Sequence, residues 1–268
     1  MTDGPPGEGL LHRATLEPVG LLREASNVTL LVDLVEPDGS PAGRAVYKPV
    51  RGERPLADFP PGTLAAREVA AYLVSELGGW GLVPATVLRD GPLGPGSVQL
   101  WMETEEDGVP AGGLVDVVTP EQVGTDGWLP VVAAQDEEGR PLVVVHADDP
   151  RLRSLAVLDV VLDNADRKAA HVGLVGERLW GFDHGLSFNA VPKLRTVLWG
   201  WAGEDLGEVE LERVRRVLGA LGSGDSGLDG LLSAAELVSL RARLEGLLAD
   251  PRLPVPPEGR YPLPWPLW

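Results

Sequence analysis

The 268-residue sequence contains no cysteine, which excludes disulfide bonds, thiolate catalysis and cysteine-based zinc sites. It also lacks any uninterrupted apolar run of the roughly 18 residues that a membrane-spanning helix requires. The opening residues, MTDGPPGEG, are acidic and rich in glycine and proline, unlike a secretory signal. Since an apolar content of 44% is enough to build a core, we expect a globular protein of the cytoplasm.

Positive charge is scarce as well. The chain has 23 Lys and Arg against 40 Asp and Glu, a net charge of −17. Such a surface repels nucleic-acid phosphates and anionic lipid headgroups. We therefore expect no nucleic-acid partner and no stable membrane association, and any anionic ligand must be held by a local basic pocket.

Four familiar enzyme motifs are missing: the G-x-x-x-x-G-K-[ST] phosphate loop, the G-x-G-x-x-G dinucleotide fingerprint, the G-x-S-x-G nucleophile elbow and the H-E-x-x-H zinc motif. Isolated glycines carry little weight here, because 34 glycines and 25 prolines with only two methionines are typical of a GC-rich genome. The corresponding enzyme classes are excluded.

The N-terminal part has the pattern of an α+β lobe. After a flexible start of about ten residues, alternating and β-branched stretches predict strands at 25–35, 43–49, 83–88 and 97–102. The first two flank a Pro-Asp-Gly-Ser turn. Residues 64–77 have helical apolar spacing, with Thr63 as the expected N-cap.

The C-terminal part is expected to be mainly helical. Helical periodicity covers 152–162, 206–221 and 233–248, with a hairpin-like piece at about 173–188. The last residues, 251–268, are too rich in proline for a helix and should pack their Trp and Leu side chains on the surface or extend as an arm. The predicted division is an N-terminal lobe at 1–103, a C-terminal lobe at 104–250 and a tail at 251–268.

Four charged residues could carry chemistry. A strand lysine, Lys48, that pairs with a glutamate of the next helix, Glu68, can reach the phosphates of a nucleotide. Asp166 follows a helix in N-A-D-R-K-A-A-H and could orient or deprotonate a hydroxyl, and Asp183 in F-D-H-G could hold Mg²⁺. The alternative is that Lys48 and Glu68 are exposed surface residues and that Asp166 and Asp183 are turn or capping residues.

The segment containing Ser26, Asn27 and Thr29 could cradle a phosphate with small polar side chains and backbone N–H groups. The alternative is a strand entry rich in turn-forming residues.

In this order, the motifs S-N-V-T, V-Y-K-P, N-A-D-R-K and F-D-H-G resemble the atypical kinases of the phosphatidylinositol 3-/4-kinase superfamily. The resemblance is closest to the type II phosphatidylinositol 4-kinase and HipA-like branch, and within it to a group of actinobacterial phosphatidylinositol kinase-like proteins. It covers about residues 15–205 and implies a two-lobed protein-kinase-like fold.

The resemblance also implies roles. Lys48 would contact the α- and β-phosphates of ATP, Glu68 would orient Lys48, Asp166 would be the catalytic acid/base and Asp183 the metal-binding acid. Arg167 would neutralise charge near the transferred phosphoryl group. The remaining positions form two sets: Ser26, Asn27 and Thr29 in place of a glycine-rich loop, and Gln99, Leu100, Trp101 and Met102 as the linker that meets adenine. Asn164 would fix the geometry of the loop before Asp166.

One position departs from the superfamily. Five residues after Asp166, where those kinases place an asparagine that binds a second metal, this chain has His171. Imidazole is a poor ligand for Mg²⁺ and a better one for Mn²⁺. Three alternatives follow: the site prefers Mn²⁺, it uses one metal held mainly by Asp183, or it binds nucleotide without catalysis.

The leading hypothesis is an ATP-dependent kinase that transfers the γ-phosphoryl group to a hydroxyl of a small molecule, lipid or protein. The alternatives are a nucleotide-binding pseudokinase that acts as an interaction module, and a structural protein on a kinase-like scaffold. The charge of −17 argues against an acceptor in an anionic membrane, so a soluble metabolite or a protein hydroxyl is at least as good a candidate as an inositol lipid.

Overall fold

The computed structural model describes residues 7–22, 27–103, 113–124 and 127–268. Its N-terminal part is a five-stranded antiparallel sheet with the order β1-β2-β3-β5-β4. The strands are β1 (Thr15–Leu21), β2 (Leu30–Val35), β3 (Pro41–Pro49), β4 (Thr86–Gly91) and β5 (Gly94–Leu100). A short helix, α1 (Glu8–Arg13), precedes them, and the longer helix α2 (Leu64–Gly78) packs against β4 and β5. The predicted lobe of antiparallel strands with one long helix is confirmed, but β1 was not predicted.

The β2–β3 hairpin has the predicted turn. The Asp38 carboxylate accepts hydrogen bonds from the backbone N–H and the hydroxyl of Ser40, at 2.9 and 2.7 Å. Gly39 has φ of 84°, in the left-handed region that glycine enters without a steric penalty.

Helix α2 begins where the sequence predicts, although the cap is different. Thr63 occupies the N-cap position, but its hydroxyl donates to the carbonyl of Pro60 and makes no capping bond. The backbone N–H of Ala65, in the first turn of α2, donates instead to the Glu53 carboxylate at 3.0 Å. An acidic side chain at this end also interacts favourably with the helix dipole.

A flexible start of about ten residues was expected; residues 1–6 of it lie outside the described residues, and from Glu8 onward the expectation is wrong because the chain forms α1. Helix α1 is held at its C-terminal end by Arg89, whose guanidinium donates to the carbonyls of Leu11, His12 and Ala14. A basic side chain commonly satisfies these last carbonyls. The partner lies far along the chain, in β4, which is why local sequence patterns do not indicate the helix.

The C-terminal part contains the three predicted helices: α3 (Pro150–Leu162), α4 (Glu208–Ser223) and α5 (Ala234–Ala249). The predicted hairpin is formed by β9 (Val172–Val175) and β10 (Arg178–Gly181). A three-stranded antiparallel sheet was not predicted, and its strands are β6 (Val115–Val118), β7 (Trp128–Gln135) and β8 (Pro141–Ala147). In the part of the chain that the structure describes, no helix is long and apolar enough to cross a membrane.

Helix α2 is tied to the C-terminal part by the buried side chain of Arg67. Its guanidinium donates to the carbonyl of Ser187 and to the carboxylate of Glu236, and stacks over the ring of Phe59 at 4.9 Å. Glu236 also closes the capping box of α5 with Ser233. This buried pair fixes the rotation of α2, and with it the position of the neighbouring Glu68.

Residues 251–268 form no helix and run along the C-terminal part, with Leu263 buried. The carbonyl of Pro262 accepts hydrogen bonds from the N–H of Thr196 and the indole of Trp199, and the carbonyl of Leu267 accepts one from the N–H of Ala169. This segment therefore lies beside the loop that contains Asp166. The expected lobe boundaries at 103/104 and 250/251 remain predictions.

Stability should fall in mild acid because of His146, a fully buried residue of β8. Its Nδ1 donates to the carbonyl of Ala147 and its Nε2 accepts from the N–H of Gly200, so the neutral ring satisfies both bonds. Burial lowers the pKa of His146 from 6.5 to about 4. Between these values the unfolded chain binds more protons than the folded one, so stability decreases as pH falls through this window, by roughly 2–3 kcal/mol.

Urea unfolding at pH 7 and pH 4.5 tests this expectation. His146→Gln should lose less stability than the wild type between the two pH values, although it is less stable at pH 7. The same pH dependence in both proteins would contradict it.

Candidate active site

A cavity of about 1170 Å³ opens between the N-terminal sheet with α2 on one side and the loops after α3 and β10 on the other. Its charged lining residues balance, with four basic and four acidic side chains: Lys48, Arg54, Lys168 and Arg195 against Glu53, Glu68, Asp166 and Asp183. The whole chain carries 23 basic residues against 40 acidic ones. The cavity is thus a place where an anionic ligand meets far less repulsion than on the average surface.

Lys48 stands at the centre of an ion-pair network. Its Nζ lies 2.5 Å from Oε1 of Glu68 and 3.0 Å from Oδ1 of Asp183. The other oxygen of Glu68 accepts the backbone N–H of His184 at 3.0 Å. The network joins β3, α2 and the turn after β10, and it brings together three of the residues that the sequence analysis selects.

Electrostatics keeps Lys48 and Asp183 ionised, whereas burial raises the pKa of Glu68. Burial alone would lower the pKa of Lys48, but the carboxylates of Asp183 and Glu68 outweigh it and raise that pKa. Burial would raise the pKa of Asp183, and the ammonium of Lys48 more than compensates, so this pKa lies well below its usual range. The site therefore presents a charged amine and a charged carboxylate to the cavity.

The turn that carries Asp183 is tightly constrained. Asp183 has φ of 53°, a left-handed conformation that costs a non-glycine residue energy and is enriched at functional sites. A Cβ at Gly181 would approach Cδ1 of Leu155 to 2.8 Å, so that position accepts only glycine without movement. The backbone thus fixes the direction in which Asp183 enters the cavity.

Asp166 also lines the cavity, and Lys168 lies beside it with Nζ 3.4 Å from Oδ2 of Asp166. Burial, and secondarily the charge of Asp183, raise the pKa of Asp166 to about 6. A carboxylate with such a pKa is better suited to accept a proton near neutral pH than an ordinary aspartate.

Lys168 was not predicted from the sequence as a site residue. Residues 166–168 are extended, and Arg167 bridges to Thr196, so side chains alternate between the cavity and the interior. In an extended segment, side chains two residues apart point to the same side. A prediction of this conformation would therefore have placed Lys168 in the cavity beside Asp166.

Arg167 was expected to neutralise charge near the transferred phosphoryl group, but its guanidinium faces the protein interior. Its side chain is 0% exposed and forms a bidentate pair with Asp159 of α3, at 2.8 and 2.9 Å. Its remaining N–H groups donate to the carbonyls of His171 and Phe182 and to Nε2 of His184. Every donor of this guanidinium is used inside the protein and Arg167 does not line the cavity, so in this structure it acts as a positioning residue.

Asn164 helps to shape the same loop. Its amide donates to Asp159 at 2.9 Å, and its carbonyl oxygen accepts the backbone N–H of Asp166 at 3.0 Å. These bonds agree with the expectation that Asn164 sets the loop geometry.

His171 points its Nε2 towards the cavity. Its Nδ1 lies 2.9 Å from the carbonyl oxygen of Asp166, and because a carbonyl only accepts, Nδ1 carries the proton. Burial lowers the pKa of His171 to about 4, so the ring is neutral and the lone pair of Nε2 faces Oδ2 of Asp183 at 3.5 Å. Two electron-pair donors that converge in this way suit a bound cation, and a backbone bond to Nδ1 is the usual support of a histidine ligand.

Among the described residues, no group of three or more His, Asp or Glu could hold a metal ion by itself. Asp183 and His171 could hold a divalent cation together, with phosphate oxygens and water completing its coordination.

Of the residues predicted to contact the nucleotide, Ser26 lies outside the described residues. Asn27 and Thr29 line the cavity, and the side-chain oxygen of Asn27 accepts the backbone N–H of Arg54 at 2.8 Å. The predicted adenine linker, Gln99, Leu100, Trp101 and Met102, also lines the cavity. The amide of Gln99 is used internally, since it donates to the hydroxyl of Thr86.

Two solved structures are similar to this chain. Hydra Fam20, whose structure was determined with sugar, has a TM-score of 0.50 at 14% identity over 90% of this chain and 86% of that one. The Helicobacter pylori proinflammatory kinase CtkA has a TM-score of 0.48 at 11% identity, covering 89% and 93%. The likeness to hydra Fam20 concerns the fold alone, and together with the observed strands and helices it confirms the predicted two-lobed, kinase-like α+β fold.

No protein-family model matches the sequence. Protein Rv2133c of Mycobacterium tuberculosis strain H37Rv is 46% identical over 265 residues, which cover 96% of this chain and 94% of that protein. This mycobacterial relative fits the expected actinobacterial source. At this identity and coverage the chain belongs to the same protein family as Protein Rv2133c.

Proposed function

We propose that this protein is an ATP-dependent phosphotransferase of the phosphatidylinositol 3-/4-kinase-like superfamily, which transfers the γ-phosphoryl group of ATP to an alcohol. The observation that carries the proposal is the ion-pair network of Lys48 with Glu68 and Asp183, which shares one cavity with Asp166. In phosphoryl transfer the protein mainly positions the reactants and neutralises charge. This arrangement supplies groups for both tasks.

Each residue has a separate part in the reaction. Lys48 would bind the α- and β-phosphates, and Glu68 would hold Lys48 in place from α2. Asp166 would orient the acceptor hydroxyl and accept its proton as the bond to phosphorus forms. Lys168, beside Asp166, would offset negative charge on the transferred group.

Residues along the rest of the cavity would bind the nucleotide. The segment with Ser26, Asn27 and Thr29 would lie over the phosphates, and the linker Gln99, Leu100, Trp101 and Met102 would meet adenine.

Asp183 and His171 would hold a divalent cation together with ATP. Such a cation, when bound, neutralises charge on the β- and γ-phosphates. The imidazole favours Mn²⁺ over Mg²⁺, because Mg²⁺ prefers oxygen ligands.

ATP turnover tests the proposal. The wild type, with Mg²⁺ or Mn²⁺ and a panel of alcohols, should release ADP, and Lys48→Met should lower that rate by about 10²–10³-fold. Lys193→Met is the matched control: Lys193 pairs with Asp58 outside the cavity, and the rate should not change. Turnover in Lys48→Met equal to that of the wild type would contradict the proposal.

A nucleotide-binding pseudokinase is the second candidate, favoured by His171 in place of the usual asparagine. It predicts that ATP with metal raises the melting temperature of the wild type while no ADP is released with either metal. If neither ATP nor metal changed the melting temperature, the remaining candidate would be a structural protein on a kinase-like scaffold. A cytoplasmic location, where ATP is available, remains part of the proposal.

A further inference from the structure

The segment that follows β3 forms one edge of the cavity. Its residues Glu53, Arg54, Pro55 and Leu56 all line it. Arg54 is the basic residue of this stretch, and its side chain is exposed to solvent. The segment therefore brings a positive charge to the cavity from the side of the N-terminal sheet.

The backbone of this segment is held beside the residues predicted to lie over the phosphates of a nucleotide. The N–H of Val28 donates to the carbonyl of Gly52 at 3.2 Å, and the N–H of Arg54 donates to the side-chain oxygen of Asn27 at 2.8 Å. A Cβ at Gly52 would lie 2.5 Å from the Cβ of Val28, so the close approach of the two segments needs a glycine. The position of Arg54 relative to Asn27 and Thr29 is thus fixed by the fold.

The same segment is also tied to α2. The carboxylate of Glu53 accepts the N–H of Ala65, in the first turn of that helix, at 3.0 Å. Three residues further along the helix, Glu68 forms the ion pair with Lys48. The backbone around Arg54 is therefore attached on one side to the segment expected over the phosphates and on the other to the helix that positions Lys48.

The guanidinium of Arg54 differs from the other basic side chains that line the cavity. Lys48 and Lys168 form ion pairs with carboxylates, and the charge of Arg195 acts on Asp58. The side chain of Arg54, by contrast, forms no hydrogen bond or ion pair with the part of the chain that the structure describes. In a protein with a net charge of −17, a cavity arginine that forms no ion pair is available to an anion. Its planar guanidinium can donate two parallel hydrogen bonds to a phosphate.

We propose that Arg54 binds the γ-phosphate of ATP and thereby lets the site distinguish a nucleoside triphosphate from a diphosphate. This inference rests on the proposed phosphotransferase function, in which Lys48 binds the α- and β-phosphates and Lys168 faces the transferred group from the C-terminal part. Arg54 would approach the same group from the N-terminal part. ADP lacks that group, so the contact is lost after transfer, and the product is bound less tightly than the substrate.

Calorimetric titration of the full chain with Mn²⁺ tests the assignment without turnover. The probes are ADP and the non-hydrolysable ATP analogue in which NH replaces the oxygen between the β- and γ-phosphorus atoms. Arg54→Gln should weaken binding of the analogue by about tenfold, the lower end of the range for a charge-assisted hydrogen bond because the side chain is exposed. Binding of ADP should change by less than about twofold, since the contact is made only to the γ-phosphate. Arg54→Lys should retain part of the affinity for the analogue.

Two comparisons separate a γ-phosphate contact from a general loss of positive charge. Lys48→Met should weaken the analogue and ADP alike, because both carry the α- and β-phosphates. Arg51→Gln is the matched control: it removes the same charge from an exposed residue of the same segment that does not line the cavity, and it should bind both nucleotides as the wild type does. Raising the ionic strength should reduce the effect of Arg54→Gln, since salt screens exposed charges.

Wild-type affinity of Arg54→Gln for the analogue would overturn the inference, and so would an equal loss of affinity for the analogue and ADP. In both cases nucleotide binding, and with it the phosphotransferase proposal, would stand. If Arg54 selects the analogue as expected but no ATP is turned over with any acceptor, the phosphotransferase proposal fails and the γ-phosphate contact stands. If the wild type binds neither nucleotide, both fail.

Discussion

Asp166→Asn should lower ATP-dependent phosphoryl transfer by about 10²–10⁴-fold, the contribution typical of a positioned general acid or base. The amide has the size and shape of the carboxylate but cannot take up the proton of an attacking hydroxyl. The backbone carbonyl of Asp166, which orients His171 through Nδ1, is unchanged in this variant. The effect should therefore be chemical and leave the loop intact.

Two further measurements separate this effect from loss of binding. The stabilisation by ATP and metal in a thermal shift experiment should be the same in Asp166→Asn and the wild type, because the proposed phosphate contacts come from Lys48. Asp225→Asn, at an exposed aspartate in the turn after α4, is the matched control for the substitution. If Asp166→Asn turned over as fast as the wild type with every acceptor, Asp166 would not be the base.

The motif spacing was sufficient to select the centre of the site. Lys48, Glu68 and Asp183 are far apart in sequence, yet the expected fold brings them within hydrogen-bonding distance. The strands and helices that carry them have strong local periodicity, so they could be predicted from short windows. The elements missed by that reasoning depend on remote partners: α1 on Arg89, and the edge strands β6 and β7 on their pairing with β8.

The direction of individual side chains was harder to predict than their position. Arg167 and Lys168 are adjacent, and sequence alone assigned the phosphoryl contact to the first of them. In the structure the side chain of Arg167 points into the protein interior. The backbone bridge between Arg167 and Thr196 determines which side chains of this extended segment face inward. The C-terminal segment was expected to lie on the surface or to extend, and its place at the cavity depends on backbone bonds to Thr196 and Ala169, which no periodicity reveals.

Arg167→Met should lower the free energy of unfolding by about 3–5 kcal/mol, the range for breaking a buried ion pair by removing one partner. The pair with Asp159 is fully buried, so the variant leaves a carboxylate in the core with only Asn164 to bind it. Urea denaturation monitored by circular dichroism measures the loss. Arg216→Met removes an exposed pair with Glu212 and should cost less than about 1 kcal/mol.

A double-variant cycle then distinguishes a structural role of Arg167 from contact with phosphate. Asp159→Asn combined with Arg167→Met should be less destabilising than the sum of the single variants, since removing both charges leaves neither unpaired in the core. If instead Arg167 contacted a phosphoryl group, Arg167→Met would retain wild-type stability and lose only turnover. That outcome would restore the role expected from the sequence, and it would require the guanidinium to leave Asp159 when nucleotide binds.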